Sequence, residues 1–198
     1  MTLDIQTNIS NHDNGHHFIR GHQIETLIQQ QSLSDVIFLL WRGNLPQTNE
    51  KVLLEALMIA ATEHGAEAPS IFVPRVVAST GNPMNTALAA SALTVGEKHG
   101  GAIEAAAHML LEDQEAEDIV AGRLEEKTII PGLGHKIYKQ EDPRATALYS
   151  KAQELEFSCS YFKKAYDIER IFTERKGKKL PLNVDGAMAA GMLELKLD

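Results

Sequence analysis

The sequence predicts an all-α, single-domain fold, and three observations carry that expectation. Apolar residues recur at i, i+3 and i+4 in segment after segment. No stretch alternates with a convincing period of two. Gly, Pro, Asn or Ser stands where each periodic run stops.

In chain order, residues 1–17 form a polar lead-in with an Asn/His/Gly cluster and at most one short extended stretch. A first helix is expected over Gln23–Gln30, where Ile24, Leu27 and Ile28 share a face. Ser32 and Ser34 are N-cap candidates for a second, Asp35–Arg42, which Gly43-Asn44 and Pro46 end. Trp41 and Phe38 read as core. Asn49–His64 places Val52, Leu53, Ala56, Leu57, Ala60 and Ala61 on one stripe. Pro69 and Pro74 bracket a turn or very short helix, and Arg75–Ser79 is a short helix before Gly81-Asn82-Pro83.

Asn85–Lys98 is rich in small residues and reads as a helix packed in a buried centre. Ala102–Leu111 and Ala116–Glu126 continue the helical pattern. TIIPGLG (128–134) is a loop. Pro143–Phe157 has Pro in its first turn and Asp142 as N-cap. Phe162–Arg175, a basic turn over Lys176–Lys179, and a last helix over Asn183–Leu195 complete the chain, with eight or nine helices and room for a small helical subdomain.

Composition excludes several classes. The 198 residues carry 27 acids against 19 bases, a formal charge of −8, which argues against a general nucleic-acid binder. The single cysteine, Cys159, cannot form an intramolecular disulfide and fits a reducing cytoplasm. No apolar run reaches the length of a membrane span. His12, His16, His17 and His22 lie close in sequence, but no acidic or thiolate ligand completes a set, so no metal is expected. Cys159 has no CxxC partner and reads as structural.

Four polar residues stand at breaks between helices: His64, His99, His135 and Asp185. The three histidines sit beside glycine, in His64-Gly65, His99-Gly100-Gly101 and Gly132-Leu133-Gly134-His135. Glycine lets a ligand approach the backbone and leaves amide N–H groups open to it. Histidines and an aspartate so placed make an acid–base set, although a histidine at a helix end also serves purely structural ends. Lys136, Lys139 and Arg144 beside the Gly-x-Gly loop suit a phosphate or carboxylate, or form a solvated turn. The 175–179 run reads as a solvated loop.

The blocks IRGHQIETLI, LSDVIFLLWRGNLP, ATEHG, ASTGNP, LTVGEKHGGAIEAAA, PGLGHKIYKQEDPRA and NVDGAMAAG, in that order from Ile19 to Leu195, resemble the citrate synthase superfamily. They are most similar to its short citryl-CoA lyase branch, which includes the C-terminal module of ATP-citrate lyase. Two features resemble the lyase form. The Ile19-Arg20-Gly21 block lies only a few helices before Glu63-His64-Gly65, and Ile103 follows the HGGA block where synthases carry Asn. His99 departs from the ATP-citrate lyase module, which resembles this block without that histidine.

The resemblance implies a multi-helix citrate synthase-like domain over 18–198 and an enzyme acting on acetyl-CoA or citryl-CoA with oxaloacetate or citrate. By resemblance, Asp185 exchanges the acetyl methyl proton. His99 stabilises the thioester enolate, and His135 polarises the oxaloacetate carbonyl or handles the citryl hydroxyl proton. His64 and Arg144 hold substrate carboxylates. Pro131, Gly132, Leu133, Gly134 and Lys139 contact coenzyme A, with Lys139 near a phosphate. The thioester is a substrate, and no permanently bound cofactor is implied.

The family continues past the Asn-Val-Asp block into a helical segment with a carboxylate-binding arginine, whereas no Arg follows Asp185 here. A C-terminally shortened domain is therefore expected to expose apolar area near residues 186–198 and to pair as a homodimer. Two other readings stand beside the lyase: a citrate synthase-like acyltransferase that also hydrolyses the thioester, and a truncated, non-catalytic CoA-binding subunit.

Overall fold

The structure is a computed structural model that describes residues 7–62, 65–97 and 99–197. The polar lead-in is more ordered than the sequence reading allows. Strands β1 (Ser10–Asp13), β2 (His16–Ile19) and β3 (His22–Gln23) form a small antiparallel meander in the order β1-β2-β3, with Asp13 opposite His16 and Phe18 opposite Gln23. Asn14 and Gly15 both have positive φ (48° and 83°), as do Arg20 and Gly21 (49° and 84°). Two successive positive-φ residues make the two-residue turn whose twist matches paired strands.

Ten helices follow among the described residues: α1 (Ile24–Gln30), α2 (Leu33–Arg42), α3 (Thr48–Ala61), α4 (Pro69–Ser79), α5 (Met84–Ala92), α6 (Ala102–Leu111), α7 (Ala116–Glu125), α8 (Pro143–Glu154), α9 (Ser160–Lys176) and α10 (Val184–Glu194). The predicted all-α class therefore holds, with the meander as its one addition.

Capping explains several boundaries. Ser32 and Asp35 form a reciprocal capping box on α2, and Gly43 ends that helix in the left-handed region. Lys51 of α3 reaches the same Asp35 at 2.8 Å. Helix α4 runs unbroken through Pro74, where the sequence predicted a break. Proline has no N–H for the carbonyl four residues earlier, that of Ser70. The Ser91 hydroxyl of α5 donates to that carbonyl at 2.6 Å, so the lost bond is replaced from the neighbouring helix.

Helix α10 is the centre of the molecule. It packs on α3, α6, α8 and α9. Gly186, Ala187, Ala189, Ala190, Gly191 and Leu193 are buried there, and Leu195 just beyond it. The expectation of exposed apolar area at 186–198 is thus wrong for the described residues of that segment. Small residues let neighbours close over it: a Cβ on Gly186 would lie 2.8 Å from the Gly132 carbonyl oxygen, and one on Gly191 2.7 Å from Leu57. Phe38, Leu53, Val120, Leu148, Phe162 and Ile168 fill the core around it.

The small-residue helix α5 is the reverse. Expected in a buried centre and reaching Lys98, it ends at Ala92 and buries only Ala87, while α4 buries no residue. The two pack chiefly on each other. Trp41, expected in the core, is 57% exposed, whereas Phe38 is fully buried. Trp41 is the last residue but one of α2, at the end of the helix beside Gly43. Cys159 is buried, and burial pushes its thiol up, which keeps it in the unreactive protonated form.

Candidate active site

One cleft of about 440 Å³ gathers His99, His135, Arg144 and Asp185, together with Pro69, Ser70, Ile103, Asn183, Val184 and Met188. These residues come from the first turn of α4, the turn before α6, the 131–139 loop, the start of α8 and the start of α10. Four of the five catalytic and carboxylate-binding residues expected from sequence therefore converge. The fifth, His64, lies outside the described residues.

His99 is half-buried and its Nε2 lies 2.9 Å from the Ser70 hydroxyl. Its turn is held by the Gly96 carbonyl, which accepts from His99 N and Gly101 N at 2.9 and 3.0 Å. A Cβ at Gly101 would meet that carbonyl oxygen at 2.8 Å, so the tight turn requires glycine there.

His135 has a fixed orientation. Its Nδ1 accepts the backbone N–H groups of Ile137 and Tyr138, both at 3.1 Å, and its ring stacks on Tyr138 with centroids 4.7 Å apart. With Nδ1 an acceptor, the neutral imidazole carries its proton on Nε2. Arg144 Nη2 lies 3.2 Å from that Nε2. Two N–H groups thus approach one another, an arrangement suited to an acceptor oxygen that both can reach from the cleft.

Arg144 is gripped from behind by Asp142, whose side chain is fully buried. Nε donates to Oδ1 at 3.0 Å and Nη2 to Oδ2 at 2.8 Å, and the guanidinium carbon stands 5.7 Å from the Tyr138 ring centre. Burial pushes the Asp142 carboxyl up. Hydrogen bonds and charge from Arg144, with the Val184 amide, more than reverse this and hold it below its ordinary value. The hydrogen bond to Asp142 raises Arg144 against burial, and the Asp185 charge is near enough to raise it further.

Asp185 occupies the second position of α10, where the helix dipole favours a carboxylate. Asn183 caps that helix: its side chain accepts from Gly186 N at 3.1 Å and donates to the Gly134 carbonyl at 2.8 Å. Its backbone N–H donates to Gly132 O at 2.9 Å. The glycine loop is thereby tied to the Asp185 turn.

The residues that the resemblance assigns to coenzyme A, Pro131, Gly132, Leu133, Gly134 and Lys139, lie beside this cleft in sequence but not in its lining. The Gly134 N–H donates to Pro181 O at 2.7 Å and that of Leu133 to Ile130 O at 3.4 Å, so these amides are not open to a ligand as expected. Gly132, with φ of 82°, presses on α10: a Cβ there would stand 2.7 Å from Gly186 Cα. The Lys139 ammonium donates to His135 O at 3.0 Å on an exposed loop. Sequence reasoning cast Asp142 only as an N-cap and did not single out Ser70, Tyr138 or Asn183. Ser70 and Asn183 act through contacts with segments distant in sequence, which spacing does not report.

Residues 48–198 match the family described as citrate synthase, C-terminal domain. This chain belongs to the citrate synthase family. Among solved structures it is similar to the citryl-CoA lyase of Hydrogenobacter thermophilus, at 39% identity over 96% of this chain and 76% of that one, with a TM-score of 0.92. It is also similar to the ATP citrate lyase of Methanothrix soehngenii solved with citrate and coenzyme A, at 25% identity over 99% of this chain and 33% of that one, TM-score 0.86. The ATP-citrate synthase beta chain protein 1 of Oryza sativa subsp. japonica is 30% identical over 183 residues, 88% of this chain and 30% of that protein. The chain spans about a third of the length of the curated relatives it matches. Among the described residues, no helix is long and apolar enough to cross a membrane, and no group of three His, Cys, Asp or Glu could hold a metal ion.

Proposed function

We propose that this chain is a citryl-CoA lyase-type enzyme, making or cleaving the carbon–carbon bond between acetyl-CoA and oxaloacetate in the cytoplasm. The convergence of His99, His135, Arg144 and Asp185 on one cleft carries this reading. In the condensing direction Asp185 takes a methyl proton from acetyl-CoA, and His99 donates to the thioester oxygen as the enolate forms. A weakly acidic C–H requires both, because the base alone leaves the oxyanion unstabilised. The enolate electron pair forms the new bond to the oxaloacetate carbonyl carbon, and the carbonyl pair moves onto oxygen. His135 Nε2–H and Arg144 meet that oxygen as donors, and it takes its proton from this donor pair. Cleavage runs the same transfers backwards, ending with Asp185 returning a proton to the methylene carbon.

His64 and Arg144 hold the dicarboxylate in this reading, and a guanidinium already clamped on one edge binds a carboxylate with little further ordering. The 131–134 loop supports coenzyme A through its packing on the Asp185 turn rather than through open amides. Lys139 in this reading exchanges its bond to the His135 carbonyl for one to a phosphate of the coenzyme. The domain spans 18–198.

The enzyme pairs as a homodimer through α4 and α5. Phe72 and Val76 on α4, and Met84 and Leu88 on α5, form exposed i, i+4 apolar pairs on two helices that otherwise pack chiefly on each other. The alanines of α5 permit close approach of a second copy. Glutamate at both Phe72 and Leu88 should turn a dimer into a folded monomer by sedimentation; a wild-type monomer at high concentration refutes the pairing.

The deciding assay supplies citryl-CoA, and separately acetyl-CoA with oxaloacetate, identifies acyl-CoA products by mass and titrates free thiol. Cleavage of citryl-CoA that His135→Ala lacks supports the lyase reading. Citrate with thiol release replaces it by a synthase. Silence in both assays with retained CoA binding replaces it by a binding subunit.

A further inference from the structure

We propose that Asp142 is a positioning residue that sets Arg144 and the Asp185-bearing end of α10 in a single register. This rests on the roles given to Arg144 and Asp185 above. The side chain is fully buried and accepts from two segments distant in sequence. Oδ1 takes Arg144 Nε at 3.0 Å and the Arg144 backbone N–H at 3.1 Å. Oδ2 takes Arg144 Nη2 at 2.8 Å and the Val184 backbone N–H at 3.1 Å. Val184 is the first residue of α10 and Asp185 the second.

An ionised carboxylate offers acceptor sites for about four hydrogen bonds and no donor, and here each site has an N–H. The charge serves both limbs at once. On one side it fixes the guanidinium as a planar fork, leaving the remaining N–H groups for a ligand carboxylate. On the other it receives an amide of the first helical turn, which has no partner within the helix. The group that binds the electrophile and the group that moves the proton are thus referenced to the same two oxygens. A displacement of one relative to the other is resisted by a buried, charge-assisted network rather than by loop packing.

Asparagine at this position keeps the volume but puts an NH2 against Arg144 in either orientation, and in one of them against Val184 as well, so donor faces donor. Glutamate keeps the charge but displaces the fork by one methylene. A residue that merely stabilised the fold would lower the melting temperature without separating the two ligands or the two N–H groups.

The test uses the full chain. In the wild type, hydrogen exchange by nitrogen-edited NMR should show Arg144 Nε–H and Val184 N–H both protected at least tenfold over an unstructured peptide. Free exchange at either site overturns the proposal and requires no variant. In folded Asp142→Asn, calorimetric titration should show oxaloacetate binding weakened tenfold or more and coenzyme A binding within twofold, with one or both N–H groups exchanging at least tenfold faster. Asp142→Glu should recover part of the oxaloacetate affinity. Unchanged oxaloacetate affinity in the folded asparagine variant, or equal weakening of both ligands, overturns it. A wild-type chain that binds neither ligand would refute the proposed function instead, and the exchange measurements would still decide on Asp142.

Discussion

The two walls of the cleft are built on opposite principles. One wall, the start of α10 with the 131–144 segment, rests on the most buried helix of the molecule. There Gly186 meets Gly132 and Asn183 and Asp142 tie loop to helix. The other wall presents Ser70 from the first turn of α4, a helix that buries no residue, and His99 from the turn before α6. In the proposed chemistry the first wall holds the proton-transferring carboxylate and the electrophile, where angular error costs most. In that same proposal the second holds the enolate donor. Precision on the first side comes from core packing, whereas α4 on the second contributes no buried residue.

Substitutions on the two walls should separate these principles. The largest effect is expected for Asp185→Ala, with turnover lowered by about 10²–10⁴-fold and the fold intact by circular dichroism, because a positioned acid–base group is worth that much. Next, Phe162→Ala in the core that supports the first wall should cost about 3–5 kcal/mol in denaturant unfolding. Phe72→Ala on α4 should shift monomer unfolding by less than about 0.5 kcal/mol, its effect appearing only in association.

Gly132→Ala should cost about 2–3 kcal/mol, from a side chain at positive φ driven into the Gly186 backbone. An equal cost at exposed Gly81, which has open space around it, would remove the distinction between the walls.

Acid should weaken the rigid wall. The Asp142 carboxyl titrates below its ordinary 3.8 in the folded chain, so its contribution is complete above that pH and is lost as pH falls through the depressed value. Acid unfolding below about pH 4 should therefore be shallower in Asp142→Asn. Smallest of all, Met84→Ala on exposed α5 should leave monomer unfolding within about 0.5 kcal/mol of wild type.

The comparison also shows what sequence reading captures. Helices α6 to α10 were placed within a few residues, because their caps are local and their apolar stripes meet the core: Asp142 before Pro143, Gly177 after α9, Asn183 before α10. The break expected at Pro74 failed because the compensating hydroxyl, Ser91, lies on another helix. The β1–β2 turn has a local signal in Asn14-Gly15, a pair favoured in tight hairpins. The burial of α5 and of 186–198 was inverted, since alanine and glycine suit both a packed centre and a helix face awaiting a partner.

The candidate site was legible as residue types beside glycine and through family resemblance, without its wiring. The buried carboxylate behind Arg144 and the tautomer of His135 follow from contacts that the linear order does not announce.

By itself the sequence determined the helical class, most caps, and the polar residues that stand at helix breaks, because periodicity, N-cap chemistry and glycine turns act over a few residues. Only the tertiary structure decided that His99, His135, Arg144 and Asp185 share one cleft, that Asp142 serves two segments, and that α10 rather than α5 forms the centre. Those outcomes depend on which small-residue faces close on each other. That choice is made by packing among distant helices, where burial of apolar area and satisfaction of every buried donor are settled together.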